Sequence, residues 1–336
     1  MTAEQRRQRL IAAGTAVVLG AFAYANRSDI PRAFDAATGA QTAFLAAGVV
    51  LAFGAMWNQA AFHAAAQRAA AQPVTATELV LPVAAAGFMN AVVKSGAMAG
   101  LAPMLSESRR QGRSRAATVA GYVLVNVLGH LAFAVTLTIG LVALFLDGRF
   151  TRVDAIAAVV FVVFTSVQMI VIGAAVRSRE VLRRLYRLPD HVARRLRRQD
   201  PSTSNDRSRE QADELFDSVQ LLRDQPRLAA PAAFHALLVE AIGIGELWCV
   251  LRALHVSTTI GVALIAYAVS VLFTIVGFLP GGLGVVEFGL GALLLSFGIT
   301  KPVTVAAVVL YRVVELWIPM IVGLFAARHL MKARQV

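Results

Sequence analysis

The chain has 336 residues, of which 57% are hydrophobic and 15% are charged. A soluble domain carries roughly 25% charged residues, and several apolar runs here exceed the roughly 20 residues that cross a bilayer as a helix, so a water-soluble fold is excluded. The formal net charge is +12, but the arginines cluster in short segments between apolar runs, which is typical of cytoplasmic loops and not of a nucleic-acid-binding surface. The single cysteine, Cys249, excludes a disulfide framework or a cysteine-based metal site within one chain.

This pattern predicts an all-α fold, a polytopic membrane helix bundle with about seven or eight helical segments that forms one integral membrane domain over residues 1–336. The first predicted helix spans residues 10–25 and follows three arginines. The N-terminus is therefore expected on the cytoplasmic side of the cell membrane. A loop of neutral net charge, which suits the outer side, leads to a second predicted helix over residues 42–65.

The third apolar segment, residues 77–105, is predicted to be broken, because proline, glycine and polar residues interrupt it. A basic stretch, residues 106–115, follows this segment. A single complete crossing would carry these arginines to the outer side, against the positive-inside rule. We therefore predict a re-entrant hairpin that enters and leaves the membrane on the cytoplasmic side.

Two further helices are predicted over residues 116–146 and 152–176, and a long polar stretch, residues 177–227, follows them. The first part of that stretch, residues 177–198, contains nine arginines. A segment this basic predicts a cytoplasmic loop, which separates the chain into two unequal halves.

The second half contains predicted helices over residues 228–251 and 257–276, a second broken segment over residues 277–300 and a last helix over residues 302–327. The basic tail that follows is expected in the cytoplasm, which requires residues 277–300 to cross the membrane once as a broken span. If this segment is re-entrant instead, the C-terminus lies outside, and the sequence leaves both arrangements open.

The two broken segments share a short internal similarity, between the sequences GFMN at residues 87–90 and GFLP at residues 277–280. Paired, interrupted apolar segments in the two halves of a transporter indicate a substrate site between them. We therefore expect the two breaks to lie near one another.

Ionisable side chains within apolar segments are costly, and they usually face a cavity or the interior of a bundle. Arg312 and Glu315 are three residues apart on one helix face, so they form a local ion pair or, alternatively, Arg312 binds a lipid phosphate. Glu240 and Glu246, together with Glu287, are candidates for carrying a proton. Polar residues in the same apolar segments are Asn126, His130 and His235.

The segment from Pro280 to Gly284 must interrupt a helix, and the helix after it would point free amide groups at the break, which predicts an anion site. Glu287 either caps those amides or binds a positive group, such as Arg312 or a substrate amine. The residues expected to bind substrate are Asn90, Lys94, Gly96, Pro280, Gly281, Gly282, Gly284, Glu287, Arg312 and Glu315.

The second broken segment and the last helix resemble the lysylphosphatidylglycerol synthase transmembrane-region family, the flippase-like family that includes the lipid-flipping half of the multiple peptide resistance factor. An N-terminal element of the family is matched by Asn90, Lys94 and Gly96, whereas Ala97 and Gly100 replace an expected acidic residue and an arginine. The residues that carry the main resemblance are Pro280, Gly281, Gly282, Gly284, Glu287, Arg312 and Pro319.

The resemblance implies a lipid translocase or flippase-like protein that moves or binds an amphipathic lipid, which is anionic, aminoacylated or polyprenyl-linked. One alternative is a non-transporting accessory protein for a membrane glycosyltransferase or a lipid-modifying enzyme, which it would bind through residues 177–198. A second alternative is a membrane-embedded lipid-modifying enzyme that uses the same acidic residues. The central polar stretch is too short for the soluble aminoacyl-transferase domain of a full synthase. We therefore expect a lipid transporter and not an enzyme, with membrane lipids as partners, no nucleic acid, and no cofactor or metal.

Overall fold

The computed structural model describes residues 30–93, 98–146, 148, 225–276 and 280–332, together with part of residues 152–173. The described residues form helices and contain no β-strand, which confirms the predicted all-α membrane bundle. The predicted first helix, most of the arginine-rich loop, Lys94 and Gly96 lie outside the described residues. Helices long and apolar enough to cross a membrane are Thr42–Ala69, Arg115–Leu146, Pro226–Ala253 and Lys301–Lys332.

The first half of the described chain contains five helices. The segment predicted over residues 42–65 continues to Ala69, and the third apolar segment divides into two helices, as its many breakers indicated. The helices are α1 (Ile30–Thr38), α2 (Thr42–Ala69), α3 (Ala76–Val92), α4 (Leu101–Arg110) and α5 (Arg115–Leu146).

The second half of the described chain contains five more helices, and a short 3-10 turn, Pro280–Gly282, lies in its broken segment. A π-helical turn, Val313–Trp317, joins the last two helices into one continuous rod. The helices are α6 (Ala230–Ala253), α7 (Ile260–Val276), α8 (Val285–Ser296), α9 (Lys301–Arg312) and α10 (Ile318–Lys332).

Helices α3 and α4 form a hairpin, here called the first hairpin. At its base, Nη2 of Arg113, just beyond α4, donates to Oε2 of Glu78 in the first turn of α3 at 2.5 Å. Near its tip, the backbone N–H of Gly100 donates to Oδ1 of Asn90 at 2.7 Å. The chain therefore leaves at the end of the bundle where it entered, as the re-entrant prediction required. The break follows Val92, whereas Pro82 lies within α3 without ending it.

Helices α7 and α8 form a second hairpin. Gly289 of α8 packs directly against the ring of Phe273, and Gly282 faces the backbone of Thr274, so α8 runs back along α7. The reversal uses positive φ angles of 61° at Gly281, 68° at Gly282 and 83° at Gly284, which glycine adopts without a Cβ penalty. Helix α8 therefore does not form the separate single crossing that was one of the two arrangements left open by the sequence, but completes a hairpin with α7.

The two hairpins enter the bundle from opposite ends. The first hairpin begins at the arginine-rich end of the bundle, where the C-terminal ends of α2, α4 and α10 lie. The second begins at the opposite end, where the N–H of Gln41 donates to the carbonyl of Ala253 at 2.8 Å and α1 packs against α9. Among helices α2 to α10, each half thus contributes a long helix, a hairpin and a second long helix, arranged in inverted directions, and α3 contacts the Pro280–Gly282 turn in the middle.

The bundle has an apolar core between α5, α6, α7, α8 and α9, and it also presents large apolar side chains on its outer face. In a water-soluble protein such a surface would be costly, whereas hydrocarbon accommodates it. Small residues allow close helix crossings, as at Gly323 of α10, where a Cβ would lie 2.5 Å from the carbonyl oxygen of Ala84 in α3. Exposed residues on the outer face of the bundle include Val50, Phe53, Leu131, Val135, Ile139 and Val142.

Candidate functional site

Arg312 is the centre of a buried ionic network at the second break. Its side chain is 4% exposed, and all three of its guanidinium nitrogens donate hydrogen bonds. Nε donates to Oε1 of Glu287 at 2.8 Å, Nη1 to Oε2 of Glu315 at 3.0 Å and Nη2 to the carbonyl of Gly281 at 2.5 Å. One arginine therefore joins the glycine turn, helix α8 and the π-helical turn, and its charge is balanced by two carboxylates.

Glu287 serves two of the roles that the sequence offered as alternatives. While Oε1 accepts from Arg312, Oε2 accepts from the N–H of Gly284 at 2.5 Å and so caps the first turn of α8. A carboxylate at this position is stabilised by the free amides and the helix dipole. The predicted anion site at this helix end is thus occupied by the protein's own Glu287.

The π-helical turn determines where Glu315 lies. Arg312 ends α9, about twelve residues from its start, which is roughly 18 Å along the helix and close to the middle of a 30 Å hydrocarbon core. The backbone N–H of Ile318 bonds to the carbonyl of Val313, five residues back, which widens the turn that carries Glu315. The side chain of Glu315 remains 29% exposed, although its partner Arg312 is almost fully buried.

Glu315 lines a cavity of about 330 Å³ that lies between α2, α3, α5 and the joined α9–α10 helix. The cavity has an apolar wall formed by residues such as Met56, Val83, Leu316 and Pro319. Its volume falls within the roughly 300–1,000 Å³ that small-molecule sites occupy. The polar residues that line it are Gln59, His63, Asn90, Tyr122, Asn126 and Glu315.

Asn90 connects this cavity with the first hairpin. Its Oδ1 accepts from Gly100, and its Nδ2 donates to the hydroxyl of Tyr122 at 3.1 Å. The side chain of Asn126, one turn further along α5, donates to the backbone carbonyl of Tyr122 at 2.8 Å. Near them, Nδ1 of the buried His63 has no hydrogen-bond partner among the described residues. A bound polar group would satisfy it.

The structure brings the predicted residues together in two layers. Asn90 and Glu315 line the cavity. Arg312, Glu287 and the glycines of the second break form the network behind Glu315. Two of the predicted proton carriers, Glu240 and Glu246, lie buried on α6 outside the cavity lining, and the third, Glu287, belongs to the network around Arg312. Lys94 and Gly96 are outside the described residues.

Sequence reasoning missed three cavity residues, Gln59, His63 and Tyr122. Two pairs carry a signal, because Gln59 and His63 are four residues apart, as are Tyr122 and Asn126. Polar residues at this spacing share a helix face. The repeated pairs within apolar segments could have identified α2 and α5 as walls of a polar cavity.

Comparison with protein families accounts for most of the chain. A family model described as the lysylphosphatidylglycerol synthase TM region matches residues 11–323, which includes both hairpins and the cavity. A comparison with curated proteins gives no match. The chain therefore belongs to the lysylphosphatidylglycerol synthase TM region family and is a multi-pass integral membrane protein.

Proposed function

We propose that the protein is a lipid translocase, which carries the head group of an amphipathic lipid through the central cavity while the acyl chains remain in the bilayer. The observation that carries this proposal is a partly exposed carboxylate, Glu315, which lines a cavity with several polar side chains at membrane depth. An ionisable group at such a position is costly and is retained where it has a function.

The charge of the cavity favours a head group with an amine. Arg312 uses all three nitrogens within the protein and is nearly inaccessible, so it is a poor candidate for a direct phosphate ligand. Glu315, which lines the cavity, offers a carboxylate to an ammonium group. Of the lipid classes that the sequence left open, an aminoacylated lipid therefore fits best, with the amides of Asn90 and Gln59 available for its polar ester and hydroxyl groups.

The two hairpins support movement between leaflets. They enter from opposite ends, and the Pro280–Gly282 turn meets α3 in the middle of the bundle. Irregular backbone at membrane depth is tolerated where it is buried in protein or lines a cavity, and inverted repeats with interrupted helices are typical of secondary transporters. As the two halves rock, a head group would pass first on one side and then on the other side of the contact between α3 and the Pro280–Gly282 turn.

The distribution of basic and acidic residues also supports an orientation in the membrane and an ion that drives transport. We propose that the arginine-rich end faces the cytoplasm of the cell membrane, with both termini there, because basic residues are retained on that side. Glu246 and Glu240 lie buried on α6, which contacts the π-helical turn that carries Glu315. An arriving amine would compete with a proton for this group of carboxylates, so we propose proton coupling and no catalytic activity for this region.

The proposal is tested in proteoliposomes that contain an acyl-labelled fluorescent phosphatidylglycerol or its lysyl ester, with a membrane-impermeant reductant added outside. Wild-type protein is expected to accelerate loss of the inner-leaflet signal for the lysyl ester. Glu315→Gln should slow this by about tenfold, because one charge-assisted contact is worth roughly 1.5–3 kcal/mol.

The matched control is Glu287→Gln, which removes a carboxylate from the same arginine but at a position outside the cavity lining. Its rate, corrected for the folded fraction, should exceed that of Glu315→Gln. Equal rates for empty and protein-containing liposomes with both lipids would contradict transport and favour an accessory protein for a membrane enzyme. Equal acceleration of both lipids would contradict recognition of the amine.

A further inference from the structure

A second cleft, separate from the central cavity, lies between α4 and α10 near the arginine-rich end of the bundle. Its volume is about 550 Å³, and none of its lining residues also lines the central cavity. Helix α3 forms a wall of both, with Ala85 and Met89 facing the cleft and Asn90 facing the cavity. The two spaces can therefore hold different molecules at the same time.

The floor of the cleft is apolar. Met89, Pro103, Leu330 and Met331 line it. On the neighbouring surface of α10, Phe325 presents a large exposed apolar side chain. Such a surface, next to an end of the membrane-spanning helices, suits an acyl chain better than a soluble ion.

The rim of the cleft is basic. Arg109 is exposed and makes no ion pair or hydrogen bond with the described part of the chain. Arg110 lies beside it, with Nε 2.9 Å from Oε2 and Nη2 2.6 Å from Oε1 of Glu107. Glu107 also lines the cleft, and the Arg110 hydrogen bonds hold the pKa of Glu107 below its usual range, so this acid stays ionised and forms its ion pair with Arg110. Arg109 therefore leaves an uncompensated positive charge above an apolar floor.

The positive rim continues on the other side of Met331. That residue also lines an adjoining pocket whose other members include Arg328, His329 and Lys332 on the last turn of α10. Arginine binds phosphate through two hydrogen bonds at once. Anionic lipids attract basic segments to a membrane surface, and each positive charge contributes about 1 kcal/mol to this attraction.

We infer that this cleft binds an anionic phospholipid, whose phosphate lies between Arg109 and the basic end of α10 and whose acyl chain follows the apolar floor. The bound lipid would hold α4, and with it the first hairpin, against α10. This site is separate from the lipid that passes through the central cavity, so lipid binding in the cleft is tested independently of transport.

The test uses the delipidated full-length protein in detergent, titrated with dioleoylphosphatidylglycerol and followed by native mass spectrometry. Arg109→Gln should weaken the tightest binding step by roughly fivefold, the effect expected for one charge at a membrane surface. Arg227→Gln is the matched control, because Arg227 is exposed at the same end of the bundle but does not line the cleft. Its binding should equal that of the wild type.

A second variant leaves the charge unchanged. Ala102 is exposed and lines the cleft, so Ala102→Trp should fill the floor and abolish the same binding step, with a wild-type thermal unfolding midpoint in the absence of lipid. Equal losses for Arg109→Gln and Arg227→Gln, or unimpaired binding to Ala102→Trp, would overturn the inference. Equal competition by free glycerol phosphate would also overturn it, because the site would then recognise a soluble anion.

Discussion

The two hairpins share a shape but are held by different interactions. Asn90 accepts a hydrogen bond from the Gly100 amide and donates one to the Tyr122 hydroxyl, and these neutral bonds fix the inner part of the first hairpin, while one exposed ion pair closes its base. In the second hairpin, the buried charge of Arg312 joins the glycine turn to two carboxylates. A buried charge network has to be complete to be tolerated, whereas neutral bonds can be exchanged one at a time. We therefore expect the second hairpin to be the more firmly held of the two, and the first to shift more easily against the cavity.

The largest effect is expected from removing the centre of the ionic network. Arg312→Ala leaves Glu287 and Glu315 without their shared cation, and breaking a buried pair typically costs about 3–5 kcal/mol. Thermal unfolding of the purified protein in detergent, followed by fluorescence-detected size-exclusion chromatography, measures the loss. Arg32→Ala, an exposed arginine on α1, is the control and should unfold like the wild type. If Arg312→Ala were as stable as the Arg32→Ala control, the second hairpin would not be held more firmly than the first.

An intermediate effect is expected at the inner part of the first hairpin. Asn90→Ala removes the partner of the Gly100 amide and of the Tyr122 hydroxyl, so it should lower stability by about 1–3 kcal/mol. Tyr122→Phe removes only one of these bonds and should cost less. The same unfolding measurement compares them. If Asn90→Ala proved as damaging as Arg312→Ala, the first hairpin would be as firmly fixed as the second.

The smallest effect is expected at the base of the first hairpin. The side chains of Glu78 and Arg113 are 42% and 17% exposed, and exposed ion pairs typically contribute up to about 1 kcal/mol. A double-mutant cycle with Glu78→Gln and Arg113→Gln measures the coupling free energy directly. It should decrease further at high salt, because the pair is accessible to screening ions. A coupling of several kcal/mol would show that this base, and not the tip, fixes the hairpin.

Much of the fold follows from sequence because apolar length and helix breakers act locally. The start of α2 at Thr42, the end of α7 at Val276 and the division of the third segment agree with the predicted positions. The positive-inside rule also identified the first hairpin, because the arginines after α4 required a return. The direction of α8 was not predictable in the same way: few charges flank the second break, so only the packing of Gly289 on Phe273 reveals the reversal.

The candidate site was predictable only in part, for a related reason. The spacing of Arg312 and Glu315 on one helix revealed their pairing, but the bonds to Glu287 and Gly281 join residues that are 25 and 31 positions away. Such contacts depend on how the hairpin folds back. Glu287 itself was recognised as a capping residue or a partner of Arg312, and it fulfils both roles because its two oxygens point in different directions.

The π-helical turn has a consequence for the whole length of the α9–α10 rod. An α-helix advances by about 100° per residue, so positions eight apart, such as Val313 and Ile321, would differ by about 80° in a regular helix. One additional residue in the turn reduces the effective separation to seven and realigns the two. Val309, Val313, Ile321 and Phe325 are all exposed. The inserted residue thus keeps one continuous stripe facing the lipid on both sides of the bulge, while Glu315 lines the cavity.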